Sequence, residues 1–137
     1  MQQLFAYGTL MCPDILHAVC GSAPQGIPAL LRGYSRRRVI GETYPALIAQ
    51  PHGEVHGILY PIASTEAWVR LDRFEGDMYE RREVILHLPD TTLVSAFTYL
   101  ASPAAQHRLA QEGWSFEEFL QTGKQRFESE YRGFSDL

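Results

Sequence analysis

Residues 71–79 read Leu-Asp-Arg-Phe-Glu-Gly-Asp-Met-Tyr. Trp68, Leu71 and Phe74 recur at helical spacing, and Gly76 is a natural stop, so a helix should end here. Glu75 then falls at the helix C-terminus, where the backbone carbonyls carry partial negative charge and resist a carboxylate. Asp72 and Asp77 would add repulsion, and burial behind Phe74 or Tyr79 would add desolvation. A carboxyl pushed up in this way can take a proton and return it near neutral pH. Arg73, Arg81 and Arg82 act in the opposite sense. Local physics therefore leaves two readings open, a tuned proton shuttle and a solvated acid paired to arginine.

Tyr7-Gly8-Thr9-Leu10 is the second stretch with chemical potential. A glycine turn between a strand and a helix presents backbone N–H groups, which can cradle a substrate carboxylate or a developing oxyanion. The same four residues also make an ordinary turn. They are not a phosphate loop, because the longer glycine spacing and the lysine are missing.

Other chemistries find less support. His17, His52, His56, His87 and His107 are scattered. His52 and His56 would share a helix face, but Gly53 and the β-branched neighbours place them in a turn and a strand, so no metal is expected. Ser22, Ser35, Ser64, Ser95 and Ser102 lack a glycine-flanked nucleophile elbow. Cys12 sits in a proline turn at a helix start, a setting that lowers a thiol pKa, but no histidine can be assigned to it.

The elements that must position these groups follow from the pattern. Residues 3–7 read as a first strand, broken by Gly8-Thr9, and a helix from Pro13 to about Cys20 stops at Gly21. Residues 29–40, interrupted by Gly33, then 44–50 and 55–60 are extended, with Pro51-His52-Gly53 as a turn. Ser64 or Thr65 caps the helix that carries Glu75. Residues 79–88 and 93–100 form a hairpin around Pro89-Asp90-Thr91-Thr92. Ser102-Pro103 opens a helix to Gly113, and Ser115 to Glu118 is a capping box for the last helix, with Phe116, Phe119, Leu120 and Phe127 on one side. This order is not a regular βαβ alternation; it fits an α+β fold, a compact mixed β-barrel with flanking helices.

With 137 residues, 45% of them hydrophobic and 20% charged, the chain suits one folded domain over residues 1–137. A net charge of −4 argues against nucleic acid as a partner, and the short run Arg36-Arg37-Arg38 reads as a solvated strand edge or turn. Two cysteines suggest free thiols in a reducing compartment. No signal peptide or membrane-length apolar run is apparent, so a cytoplasmic protein with no membrane partner is expected.

Tyr7-Gly8-Thr9-Leu10, Tyr44-Pro45-Ala46, Val55 to Tyr60, and Leu71 to Gly76 followed by Tyr79 and Arg81, in this order and spacing, resemble the gamma-glutamylcyclotransferase superfamily. The similar branch holds gamma-glutamylamine cyclotransferases and plant avirulence-induced-gene-like proteins. The resemblance spans about residues 3–100, and the tail with Trp114 and Phe119 also resembles the plant-type branch. It implies that the Tyr7–Leu10 loop and Glu75 meet at one pocket and that Glu75 is the catalytic acid and base. Tyr7, Gly8, Thr9, Leu10, Tyr44, Tyr79 and Arg81 are the implied substrate-binding residues. The implied reaction is cyclisation of a gamma-glutamyl amide by its own α-amine, releasing 5-oxoproline and a free amine without metal or cofactor. The expected partner is that small-molecule substrate, with the protein a monomer or weak homodimer. The same pocket without turnover would make a small-molecule binding or regulatory protein.

Overall fold

The computed structural model describes residues 2–135 and 137. Five strands close on themselves: β1 (Gln2–Ala6), β2 (Ile27–Val39), β3 (Pro45–Ile62), β4 (Tyr79–His87) and β5 (Leu93–Ala101). The order is β3-β1-β5-β4-β2, with β2 returning to pair β3. Only β1 and β5 run parallel, meeting at Leu4 and Phe97; the other pairings are antiparallel. The result is the mixed barrel with flanking helices that the sequence led us to expect.

Alternation along β1 explains how one short strand serves two cores. Phe5 and Tyr7 point into the barrel with Leu31, Leu47, Val55, Leu59 and Leu86. Leu4 and Ala6 point outward, under α1 (Pro13–Cys20) and α2 (Thr65–Glu75), with Ile15, Leu16, Trp68 and Leu71. From Leu4 to Tyr7 both faces are therefore buried, which is why these four residues read as an unbroken apolar run. Full burial of each large side chain is worth roughly 1.5–3 kcal/mol, so this strand is held from two sides.

Three local expectations need correction. Pro51-His52-Gly53 does not separate two strands: β3 runs through it, and the register against β2 shifts between Arg32 and Tyr34. The extra residues form a bulge in which His52 takes a φ of 65°. Residues 103–113 are not one helix. A 3-10 turn, Pro103–Arg108, is followed by β6 (Leu109–Gly113), which pairs with β2 at Val39 and Arg37. Leu109-Ala110-Gln111-Glu112 favour a helix by propensity, and pairing to the β2 edge overrides it. Arg36 is no solvated edge residue. It is half-buried, and its Nη1 donates to the Tyr7 carbonyl at 2.8 Å.

The C-terminal part begins with α3 (Phe116–Glu118), capped by Ser115 Oγ accepting the Glu118 N–H at 3.3 Å. A π-turn, Phe119–Gly123, leads into α4 (Lys124–Glu130) and α5 (Arg132–Ser135). Phe119 and Phe127 are buried, whereas Leu120 is exposed. No helix among the described residues is long and apolar enough to cross a membrane.

Candidate active site

Helix α2 delivers Glu75. Ser64 Oγ accepts the Ala67 N–H at 3.1 Å and starts the helix. Arg70 reaches the end of α1, donating to the Val19 carbonyl at 2.5 Å, so the two helices are tied end to side. Gly76 ends α2 with a φ of 78°, a left-handed value that favours glycine. The last carbonyls of a helix lack internal partners. Here the Tyr131 hydroxyl donates to the Phe74 oxygen at 2.7 Å and lies 3.1 Å from the Glu75 oxygen. Phe74 is wedged among Tyr131, Phe134 and Phe127, with ring centroids 5.0, 5.1 and 6.1 Å away.

The Tyr7–Leu10 loop comes from the opposite side. A Cβ on Gly8 would stand 2.9 Å from Pro45 Cγ, so glycine is required by the close approach of Pro45. Pro45 is itself fixed, since the Tyr79 hydroxyl donates to its carbonyl at 2.7 Å. Residues Thr9–Met11 form a 3-10 turn whose Met11 and Cys12 N–H groups bond back to Gly8 and Thr9. The preceding N–H groups, of Gly8, Thr9 and Leu10, have no backbone acceptor among the described residues. They are the orphan donors of a turn start, free to meet a negatively charged oxygen.

Buried hydroxyls connect the two sides. Tyr7 Oη donates to the Tyr99 carbonyl at 2.6 Å, and Tyr99 Oη donates to Asp72 Oδ1 at 2.7 Å. Burial holds the Tyr7 and Tyr79 phenols well above their ordinary pKa, and nearby Glu75 pushes the same way. Both stay neutral donors at any physiological pH.

Loop and helix end enclose a cavity of about 30 Å³, lined by Tyr7, Gly8, Thr9, Leu10, Tyr44, Glu75, Tyr79, Tyr99 and Tyr131 among others. That is room for roughly one or two waters. Beyond it lies an open groove of about 760 Å³ that shares Tyr44, Phe74, Glu75, Tyr79 and Tyr131 with the cavity. Glu75 lines both spaces. The residue keeps some exposure, yet burial dominates its titration and, with a smaller push from Asp72, raises its pKa from 4.5 to about 8. Asp77 lines the groove but is not among the causes.

Seven of the eight residues expected at the site thus line one cavity: Tyr7, Gly8, Thr9, Leu10, Tyr44, Glu75 and Tyr79. Arg81 does not. Its guanidinium lies 4.9 Å from the Trp68 ring centroid and 3.6 Å from Asp72 Oδ1. Cys12 is also corrected: burial pushes its thiol up to about 11, the opposite of activation. Sequence reasoning missed Tyr99 and Tyr131. The second left a trace, because Phe127, Tyr131 and Phe134 follow the spacing of a helical stripe. No group of three or more metal-ligating side chains occurs among the described residues.

Residues 4–116 match the family described as "Gamma-glutamyl cyclotransferase, AIG2-like". AIG2-like protein A of Arabidopsis thaliana is 30% identical over 128 residues, covering 93% of this chain and 77% of the relative. AIG2-like protein D of the same plant is 32% identical over 130 residues, covering 93% and 84%. A solution structure of an Arabidopsis thaliana protein superposes with a TM-score of 0.73 at 29% identity, covering 93% of this chain and 86% of that one. A structure named gamma-glutamyl cyclotransferase shares the fold, with a TM-score of 0.66 at 21% identity over 74% of this chain and 66% of the other.

Proposed function

The chain belongs to the gamma-glutamyl cyclotransferase, AIG2-like family, and from that premise we propose that it converts a gamma-glutamyl amide into 5-oxoproline and a free amine. One observation carries the reading: a single carboxyl with its pKa raised to about 8 and a loop of unpaired backbone N–H groups line one narrow cavity.

The chemistry balances with these groups alone. The substrate's neutral α-amine attacks its own side-chain carbonyl carbon, forming the ring C–N bond. The carbonyl oxygen becomes an oxyanion, which the N–H groups of Gly8, Thr9 and Leu10 would stabilise. The attacking nitrogen passes its proton to the Glu75 carboxylate. Glu75 then protonates the departing nitrogen as the original amide bond breaks, and returns to its starting state. One group serves as base and acid because its pKa lies near the operating pH. The attack is intramolecular, so the protein chiefly holds the folded geometry of the substrate. Tyr44 and Tyr79 shape that cavity as neutral walls.

The test is to incubate the protein with gamma-glutamyl-alanine, gamma-glutamyl-ε-lysine and glutathione and follow 5-oxoproline by chromatography. Catalytic release from at least one of them is expected. Measurable binding by calorimetry without 5-oxoproline from any would overturn the reaction and favour a binding or regulatory protein built on the same pocket.

A further inference from the structure

Pairing of β1 with β3 stops at Ala6 and Ile58. The next carbonyl, that of Tyr7, lies past the ladder, and Arg36 of β2 takes it: Nη1 donates to the Tyr7 oxygen at 2.8 Å and lies 3.3 Å from the His56 oxygen. On its other side the guanidinium carbon sits 5.4 Å from the centre of the Trp114 ring. Trp114 is buried, and its indole N–H donates to the Thr43 carbonyl at 2.8 Å, just ahead of Tyr44 and Pro45. One aromatic ring therefore braces two walls of the cavity, the loop through Arg36 and the Pro45 segment through Thr43. Arg36 forms no ion pair among the described residues. No acid is among the groups that shift its titration either: burial lowers its pKa and Tyr7 raises it. A guanidinium stays charged at any physiological pH. A partly buried cation without a counter-ion is costly, and a neutral amide would satisfy one carbonyl oxygen without that cost. The Trp114 face attracts the cation but does not cancel its charge, as a carboxylate would. That charge stands at the oxygen end of the Tyr7–Gly8 peptide. The nitrogen end of the same planar unit is the Gly8 N–H of the cavity loop, which has no backbone acceptor among the described residues.

We propose that Arg36 is a positioning residue for the cyclisation: its charge, passed through the Tyr7–Gly8 peptide, strengthens the Gly8 N–H as a donor to the oxyanion, and Trp114 holds the guanidinium in place without neutralising it. The inference rests on the cyclotransferase reading above. A hydrogen bond to a peptide oxygen draws electron density from the nitrogen, so bonds at the two ends of one peptide reinforce each other. A charged donor does this more strongly than a neutral one. The oxyanion develops only as the ring closes, so the contribution of Arg36 belongs in kcat and not in KM.

Arg36→Gln keeps a donor for the Tyr7 carbonyl and removes the charge. With the gamma-glutamyl compound that wild type turns over fastest, its kcat should fall by about tenfold or more, less than for loss of a direct oxyanion donor, while KM stays within about twofold. The Glu75 midpoint near 8, to whose causes Arg36 does not belong, should stay in place when followed by carbon-13 NMR. Arg36→Ala opens a space against Trp114. Methylguanidinium should restore part of kcat there, and methylurea, of similar shape but neutral, should not. Melting curves establish that each variant is folded. Should neither fold, Arg36→Lys, which keeps the charge, is the measured variant, with kcat expected within about threefold of wild type and a larger loss counting against the proposal. A kcat of Arg36→Gln within about threefold of wild type, a loss carried by KM alone, a displaced Glu75 midpoint, or equal rescue by methylurea overturns the role of Arg36 and leaves the cyclotransferase reading standing. Failure of wild type to release 5-oxoproline from gamma-glutamyl-alanine, gamma-glutamyl-ε-lysine and glutathione alike overturns both.

Discussion

The narrow cavity and the open groove share a wall but are built on opposite principles. The cavity is walled by phenols and a backbone loop, holds about 30 Å³, and its partners are tied by buried bonds such as Tyr7 to Tyr99 and Tyr79 to Pro45. The groove holds about 760 Å³ and is lined by exposed arginines and aspartates with few fixed partners. Low dielectric raises the Glu75 pKa and strengthens N–H contacts to an oxyanion, so the proposed chemistry is assigned to the narrow, buried side. The exposed groove charges are screened by solvent and can change without disturbing that balance. The contrast predicts that substitutions in the cavity change turnover, and that substitutions of the exposed groove charges change it far less.

The sharpest way to break this division is Glu75→Gln, which keeps the shape and removes the base. Turnover to 5-oxoproline should fall by about 10² to 10⁴, with binding nearly unchanged. Turnover within a few-fold of wild type in a folded variant would refute the role. Stability gives an independent sign. The folded-state pKa is raised, so the stability that depends on Glu75 is fully present below pH 4.5 and is lost as the pH rises through about 8. Glu75→Gln should therefore melt higher than wild type at pH 8.5, by roughly 1 kcal/mol after allowance for partial exposure, and the gap should close by pH 5. A smaller but still large loss is expected for Gly8→Val, about 10² in kcat/KM, because the new side chain must push Pro45 away and misaim the loop N–H groups. Kinetics alongside a melting curve would separate this from simple unfolding.

How much of this was legible beforehand depends on range along the chain. The end of α2 at Gly76, the cap at Ser64 and the turn after β1 are local events, signalled by residue type and spacing. The meeting of Tyr7–Leu10 with Glu75 came only from the family resemblance, since no local rule joins residues so far apart. Arg36 was misread because one arginine in a run of three turns inward along a strand, and a charge run does not say which. Residues 109–113 were misread because the pairing that makes them a strand involves β2, seventy or so positions earlier in the chain. The groove draws on four separated segments, at Tyr44, 72–79, Arg108 and 131–133, and no periodicity reports that assembly.

Tyr131 tests how tightly the two regions are coupled. Its hydroxyl holds the Phe74 and Glu75 carbonyls while its ring packs 5.0 Å from Tyr44. Tyr131→Phe should cost about 1 kcal/mol of stability and lower turnover by only a few-fold, since the ring keeps its packing against Phe74. A loss as large as that of Glu75→Gln would mean that the helix-end hydroxyl, and not the carboxyl alone, sets the rate. The smallest effect is expected from Asp72→Asn. Removing this charge takes away the minor cause of the raised Glu75 pKa and leaves burial, the larger one, in place. The alkaline shift of Glu75 should shrink and not disappear.

The central claim is that the fold itself raises one carboxyl into the neutral range. Carbon-13 NMR of glutamate side-chain carboxyls, recorded from pH 4 to 10 in wild type and assigned by the signal missing in Glu75→Gln, measures it without any substrate. The account predicts a midpoint for Glu75 near 8, falling part of the way towards 4.5 in Asp72→Asn. A wild-type midpoint near 4.5 would contradict it.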